Sequence, residues 1–209
     1  MTLDTTWAIK WMRNVQADIA AQREYLIDLD RAIGDGDHGE NLDRGFTHTI
    51  SVLENEAPQT VQEVLKIVAK TLMSTVGGAA GPLYGTAFLR AAKAVDPHEQ
   101  TADTVVTFLQ AALEGIQARG KAEEGEKTMV DAWAPAVRAA RTAAEAGQSP
   151  QETLKAAAQA AHQGAADTQP MQATKGRASY LGERSIGHLD PGAVSSALIL
   201  NAAYAATEE

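Results

Sequence analysis

Val61-Gln-Glu-Val-Leu-Lys-Ile-Val-Ala-Lys-Thr-Leu72 decides the fold class. Val61, Val64, Leu65, Val68 and Leu72 recur at i, i+3, i+4, i+7 and i+11, the apolar stripe of an amphipathic helix. Upstream, Trp7, Trp11, Val15 and Ile19 stack at four-residue intervals behind Asp4 or Thr5 as N-cap. Downstream, Val105, Leu109, Ala112, Leu113 and Ile116 repeat the stripe, and no stretch alternates convincingly with the two-residue period of a strand. Composition agrees: alanine supplies 41 of 209 residues and Phe, Trp and Tyr together only ten, whereas strands prefer β-branched and aromatic side chains. Eight helices are expected, at about 5–28, 38–54, 59–74, 82–94, 101–118, 128–146, 151–167 and 191–206, in one all-α domain spanning 1–209. Trp7, Trp11 and Trp133 have core-like spacing.

The connections between these helices fall into two alternating kinds. Glu54–Pro58, Val95–Thr101 and Ala146–Gln151 are short turns broken by Pro58, Pro97 and Pro150. Asp28–Asp37, Thr75–Pro82, Arg119–Lys127 and Thr168–Asp190 hold most of the glycines and the unusual acids. In an antiparallel up-and-down bundle or barrel, alternate connections share one end. The chemically unusual loops are therefore expected to converge on one rim.

Several function classes fall away on composition. Eighteen Lys and Arg against 27 Asp and Glu give a net charge of −9, which argues against a nucleic-acid partner. Without cysteine there is no disulfide, zinc–thiolate site or thiol nucleophile, which suits a reducing compartment. Met1-Thr2-Leu3-Asp4 lacks the basic start of a signal peptide. The charge-free window 191–207 is shorter than the roughly 20 apolar residues of a membrane span, and it carries Ser195, Ser196, Asn201 and Tyr204. A cytoplasmic protein with no membrane partner is expected.

Asp30, Asp35 and Asp37 lie in Leu29-Asp-Arg-Ala-Ile-Gly-Asp-Gly-Asp-His38, where Gly34 and Gly36 let the backbone turn between acids. Three carboxylates about 5 Å apart cost on the order of 3 kcal/mol per pair at an effective dielectric of about 20. Such a cluster calls for a cation, and oxygen-only ligands suit Mg²⁺, Mn²⁺ or Ca²⁺. An EF-hand is excluded, since counting from Asp35 places Phe46 where the loop's glutamate belongs. A second reading stands beside the metal: Asp37 as N-cap of the next helix, with Glu40 completing a capping box.

Gly77-Gly-Ala-Ala-Gly-Pro82 precedes a helix, with Pro82 suited to its first position. It reads either as a phosphate cradle of backbone N–H groups or as a tight interhelical turn. Gly115-Ile-Gln-Ala-Arg-Gly-Lys121-Ala122 nearly spells a P-loop but lacks the final Ser or Thr and follows a helix rather than a strand. Lys175, Arg177 and Arg184 concentrate positive charge in the last long connection, as a polyphosphate would require. Asp190-Pro191 is an N-cap and N1 pair or a ligand contact. His38 and His188 share these loops with both roles open, while His48, His98 and His162 read as structural or surface residues.

Three motifs together resemble the nucleotide-binding L subunits of dihydroxyacetone kinases. They are Asp30-x4-Asp35-x-Asp37-His38-Gly39, then Gly77-Gly-Ala-Ala-Gly-Pro-Leu-Tyr-Gly85, then Gly176-Arg-Ala-Ser-Tyr-Leu-Gly-Glu-Arg-Ser-Ile-Gly-His-Leu-Asp-Pro-Gly192. The resemblance implies an eight-helix antiparallel barrel that binds ADP or ATP at one end through two Mg²⁺ ions held by the three aspartates. It implies a nucleotide site lined by His38, Asn41, Ala79, Ala80, Gly120, Met129, Arg177, Asp190 and Gly192. Family members usually have serine where Ala80 stands, so only the backbone contact carries over there. The implied partners are a K subunit that holds dihydroxyacetone and a phosphohistidine donor subunit of phosphotransferase type. Use of exchangeable ATP, a related ketose, or a second role as co-regulator of a transcription factor are the family's other possibilities.

Overall fold

The computed structural model describes residues 2–208, and every regular element among them is helical. The helices are α1 (Thr5–Ala21), α2 (Arg23–Ile33), α3 (His38–Glu56), α4 (Val61–Thr75), α5 (Ala80–Ala94), α6 (Ala102–Gly120), α7 (Val130–Glu145), α8 (Pro150–Asp167) and α9 (Pro191–Ala205). A 3₁₀ segment, Arg177–Ser185, lies within the last long connection. Side chains cap several starts: Asp4 accepts from the N–H groups of Thr6 and Trp7, Thr60 from Glu63, Thr101 from Thr104, and Ser149 from Glu152. Each such cap is worth about 1 kcal/mol.

The first expected helix is two. Gln22 leaves the helical region at φ −100° and ψ 8°, where the apolar stripe pauses between Ile19 and Leu26. α2 then runs to Ile33, beyond the expected end, because Leu26, Ile27, Asp30 and Ile33 continue a buried face at helical spacing. Asp30 consequently sits on a helix rather than in a loop. α5 begins at Ala80, two residues early, so Pro82 is its third residue rather than its first. Proline is tolerated there because first-turn N–H groups have no intrahelical partner.

Each helix from α4 to α9 packs on the one before it, α3 packs on α1 and α2, and α9 packs back on α1, so the neighbours close a ring. Inside it, Trp7 and Trp11 stack with ring centroids 5.3 Å apart and meet Phe108 and Phe88. Their indole N–H groups donate to the carbonyls of Ala203 (3.0 Å) and Ile199 (2.8 Å) on α9. Trp133 is also buried, so all three tryptophans serve the core, while His48, His98 and His162 are exposed. No helix among the described residues is long and apolar enough to cross a membrane.

Candidate functional site

All four unusual connections meet in one cleft of about 180 Å³. Asp30, Asp35 and Asp37 come from the first, Gly77–Ala80 from the second, Lys127–Met129 from the third, and Lys175–Ala178 with Asp190–Gly192 from the fourth. The alternation of connections in the sequence thus has its spatial counterpart.

One oxygen from each of Asp30, Asp35 and Asp37 lies within 4.8 Å of the others. Asp30, buried at the end of α2, also accepts from the N–H groups of Asp37 (2.9 Å) and His38 (3.1 Å), and so caps α3 from outside. Asp37 caps nothing with its side chain, and Glu40 faces Arg23 at 3.8 Å instead of closing a capping box. The local-cap reading of Asp37 therefore fails, and its carboxylate is left to the cleft. Gly36 takes φ +74° in the turn. Gly34 is required for a different reason: a Cβ there would stand 2.1 Å from Asp30 Oδ1. Arg177 Nη1 approaches Asp35 Oδ2 at 2.8 Å, so one cation answers three anions and the cluster stays electron-rich. Its all-oxygen donor set fits a hard divalent ion such as Mg²⁺.

The start of α5 lines the same cleft. Ala79 is its N-cap and supplies no side-chain hydrogen bond, so the first-turn N–H groups carry the positive end of the helix dipole without a side-chain partner. The floor is a buried polar network. His38 Nε2 meets Ser195 Oγ at 2.8 Å, and the Tyr84 hydroxyl lies 2.6 Å from Ser195 Oγ and 2.9 Å from Ser196 Oγ. Burial lowers the His38 pKa, opposed by the fields of Asp30 and Asp37 and a hydrogen bond to the Pro191 carbonyl. At the α9 start, Asp190 accepts from Ala193 N at 2.7 Å. Burial pushes its pKa up to about 7, against that hydrogen bond and the attraction of Lys127.

The DAK2 domain matches residues 32–205. The chain is 46% identical over 202 residues, covering 97% of itself and 96% of the relative, to the ADP-binding subunit DhaL of PEP-dependent dihydroxyacetone kinase 1 from Listeria innocua. This chain belongs to the DAK2-domain L subunits of dihydroxyacetone kinases. It is also 42% identical, over the full length of both chains, to the ADP-binding subunit DhaL of the PEP-dependent dihydroxyacetone kinase of Escherichia coli. The solved dihydroxyacetone kinase of C. freundii shares the fold, with a TM-score of 0.71 at 24% identity over 95% of this chain and 34% of that one.

The residues placed by the L-subunit motifs are distributed unequally. His38, Asn41, Ala79, Ala80, Met129, Arg177, Asp190 and Gly192 all line the cleft, together with the three aspartates. The His38 ring is engaged by Ser195 beneath it, and Asn41 is held by Arg44 at 2.5 Å. Gly120 is not among the lining residues; it ends α6 behind Leu83, whose Cδ2 would be 3.0 Å from a Cβ there. Lys175 joins the lining, whereas Arg184 and His188 do not. Two further residues shape the site without any local pattern in the sequence to mark them. Asp131 shapes the third loop by accepting from Thr128 N (2.7 Å) and Gly125 N (2.5 Å), and Lys127 is buried among carbonyls.

Ala80 offers a direct probe of the α5 wall. Ala80→Ser should tighten Mg²⁺–ADP binding by roughly three- to a hundredfold, the range of one added hydrogen bond to a neutral or charged partner. Calorimetric titration checks it, and an unchanged affinity would mean that the loop serves only as a turn.

Proposed function

We propose that this chain is the ADP-binding subunit of a dihydroxyacetone kinase and works in the cytoplasm as a single nucleotide-binding domain. On this reading it relays a phosphoryl group from a phosphohistidine donor subunit, through bound nucleotide, to dihydroxyacetone held on a separate K subunit. The observation that carries it is the meeting of three carboxylates, the uncapped start of α5 and the cations Lys175 and Arg177 in one cleft.

Asp30, Asp35 and Asp37 would hold two Mg²⁺ ions, which when bound supply charge neutralisation for the phosphates. The α5 N–H groups would orient the phosphate chain, Arg177 would turn from Asp35 to meet it, and Met129 and Leu83 would give the nucleotide an apolar wall. Nothing in this arrangement requires a covalent protein intermediate. Catalysis would rest on positioning and electrostatics. Both relatives compared are named PEP-dependent and match this chain nearly end to end, which favours the relay over direct use of ATP.

The reading is tested by reconstitution. The purified chain should carry nucleotide and turn over only with both the donor protein and the K subunit present. ATP alone should support about one turnover per bound nucleotide, as expected for a resident coenzyme. Sustained turnover with ATP and the K subunit, without a donor protein, would replace the relay by an ATP-dependent kinase.

A further inference from the structure

Lys127 is only 1% exposed, and its ammonium is spent on backbone carbonyls. It donates to Thr168 O (2.7 Å), Met171 O (3.1 Å), Gln169 O (3.4 Å) and His188 O. Three of these carbonyls open the connection between α8 and α9, and the fourth closes it. Lys127 also has φ +60°, a left-handed conformation uncommon for a side chain of this size, which the surroundings must hold in place. Burial lowers the Lys127 pKa, opposed by the fields of Asp190 and Asp131.

Single polar ties also reach the segment. Asp190 N donates to Thr168 Oγ1 (3.0 Å) and Gln169 Nε2 to Gly187 O (3.3 Å) across its base. Ala173 N donates to the buried Ser185 Oγ (2.9 Å) within it, and Arg177 meets Asp35 (2.8 Å). Lys127 alone gathers four carbonyls from both ends on one group. The segment's apolar packing is a small cluster of Ile33, Ala173 and Ala178 with Leu181 against it, while Tyr180 is 88% exposed and Ile186 45%. Backbone bonds at the base add Gly187 N to Gln169 O (2.8 Å) and Thr174 N to Glu126 O (3.3 Å). A segment with few buried apolar contacts opens locally at low cost unless polar ties hold it. This one bears Lys175 and Arg177.

We propose that Lys127 is a positioning residue of the nucleotide site: its ammonium clips both ends of the α8–α9 connection together and so holds Lys175 and Arg177 over the aspartate cluster. The inference rests on the reading of the cleft as a Mg²⁺–nucleotide site. Two variants test it, Lys127→Met, which fills the space without donors, and Lys127→Gly, which relieves the positive φ and lets water reach the four carbonyls. In the ligand-free full-length protein, amide hydrogen exchange over 172–187 should accelerate at least about tenfold in both variants while α4 and α5 keep their protection. Calorimetric affinity for Mg²⁺–ADP should fall about ten- to a hundredfold, the scale of one charge-assisted hydrogen bond lost with the positioning of Arg177.

Unchanged exchange over 172–187 in Lys127→Gly overturns the clip. A loosened segment with unchanged Mg²⁺–ADP affinity overturns its positioning role. Global unfolding of Lys127→Gly makes Lys127 a core residue and likewise overturns the proposal. A wild-type protein that binds no Mg²⁺–ADP overturns the nucleotide reading instead, and the exchange comparison still decides whether the clip exists.

Discussion

Asp37→Asn should abolish Mg²⁺-dependent ADP binding and leave the melting temperature of the ligand-free protein at or above that of the wild type. The Asp37 carboxylate supports no helix start, and it lies in a cluster with Asp30 and Asp35. Like charges about 5 Å apart repel by on the order of 3 kcal/mol at an effective dielectric of about 20, so removing one relieves the ligand-free state. The ligand-bound state loses a metal ligand. With it goes the roughly 2.7 kcal/mol of stabilisation that a ligand at about 100 times its dissociation constant confers. EDTA added to the nucleotide-loaded wild type should have the same effect. Asp30→Ala should differ, because the Asp30 carboxylate also holds the N–H groups of Asp37 and His38 at the start of α3. It should lose binding as well, and its ligand-free form should be less stable than that of Asp37→Asn by about 0.5–2 kcal/mol, the usual range for a lost cap. Thermal melts with and without Mg²⁺–ADP separate the two roles. Normal ADP binding by asparagine variants of all three aspartates would end the metal assignment.

That pair of predictions also marks where the sequence stops being legible. A capping box is a local pattern, an acid followed three residues later by a glutamate, and Asp37 with Glu40 has it. The cap that forms comes from Asp30, seven positions upstream on the preceding helix, and no i, i+3 spacing records such a contact. Lys127 escaped notice for the same reason, since its acceptors at Thr168 and His188 lie 41 and 61 residues away. What the chain did declare was whatever repeats. The stripes of α4 and α6 predict their helices, and the alternation of plain and unusual connections predicts their convergence in the cleft. Gln22 marks the border between these regimes: a short polar run between Ile19 and Leu26 that helical periodicity could bridge on paper but that turns the chain.

Arg177→Ala should move two affinities in opposite directions. For Mg²⁺–ADP the loss of a charge-assisted hydrogen bond, about 1.5–3 kcal/mol, should weaken binding roughly ten- to a hundredfold. For a divalent ion alone the change should be the reverse, because Arg177 sits 2.8 Å from Asp35 and offsets part of the charge a cation needs. That ion pair is well exposed, with side-chain exposures of 64% and 35%, so its release is worth only the 0.2–1 kcal/mol or so of a surface pair. Mn²⁺ titrated in the absence of nucleotide should therefore bind about two- to fivefold more tightly to the variant. Amide exchange over 172–187 separates loss of the guanidinium from loss of the segment, and unchanged exchange in the variant assigns both changes to Arg177 itself. The opposed signs arise only if one guanidinium answers the aspartates in the empty cleft and the phosphates in the filled one. In that case Arg177 is the counter-ion that lets three carboxylates stand together before the metal arrives, and its transfer from Asp35 to phosphate couples metal loading to nucleotide binding.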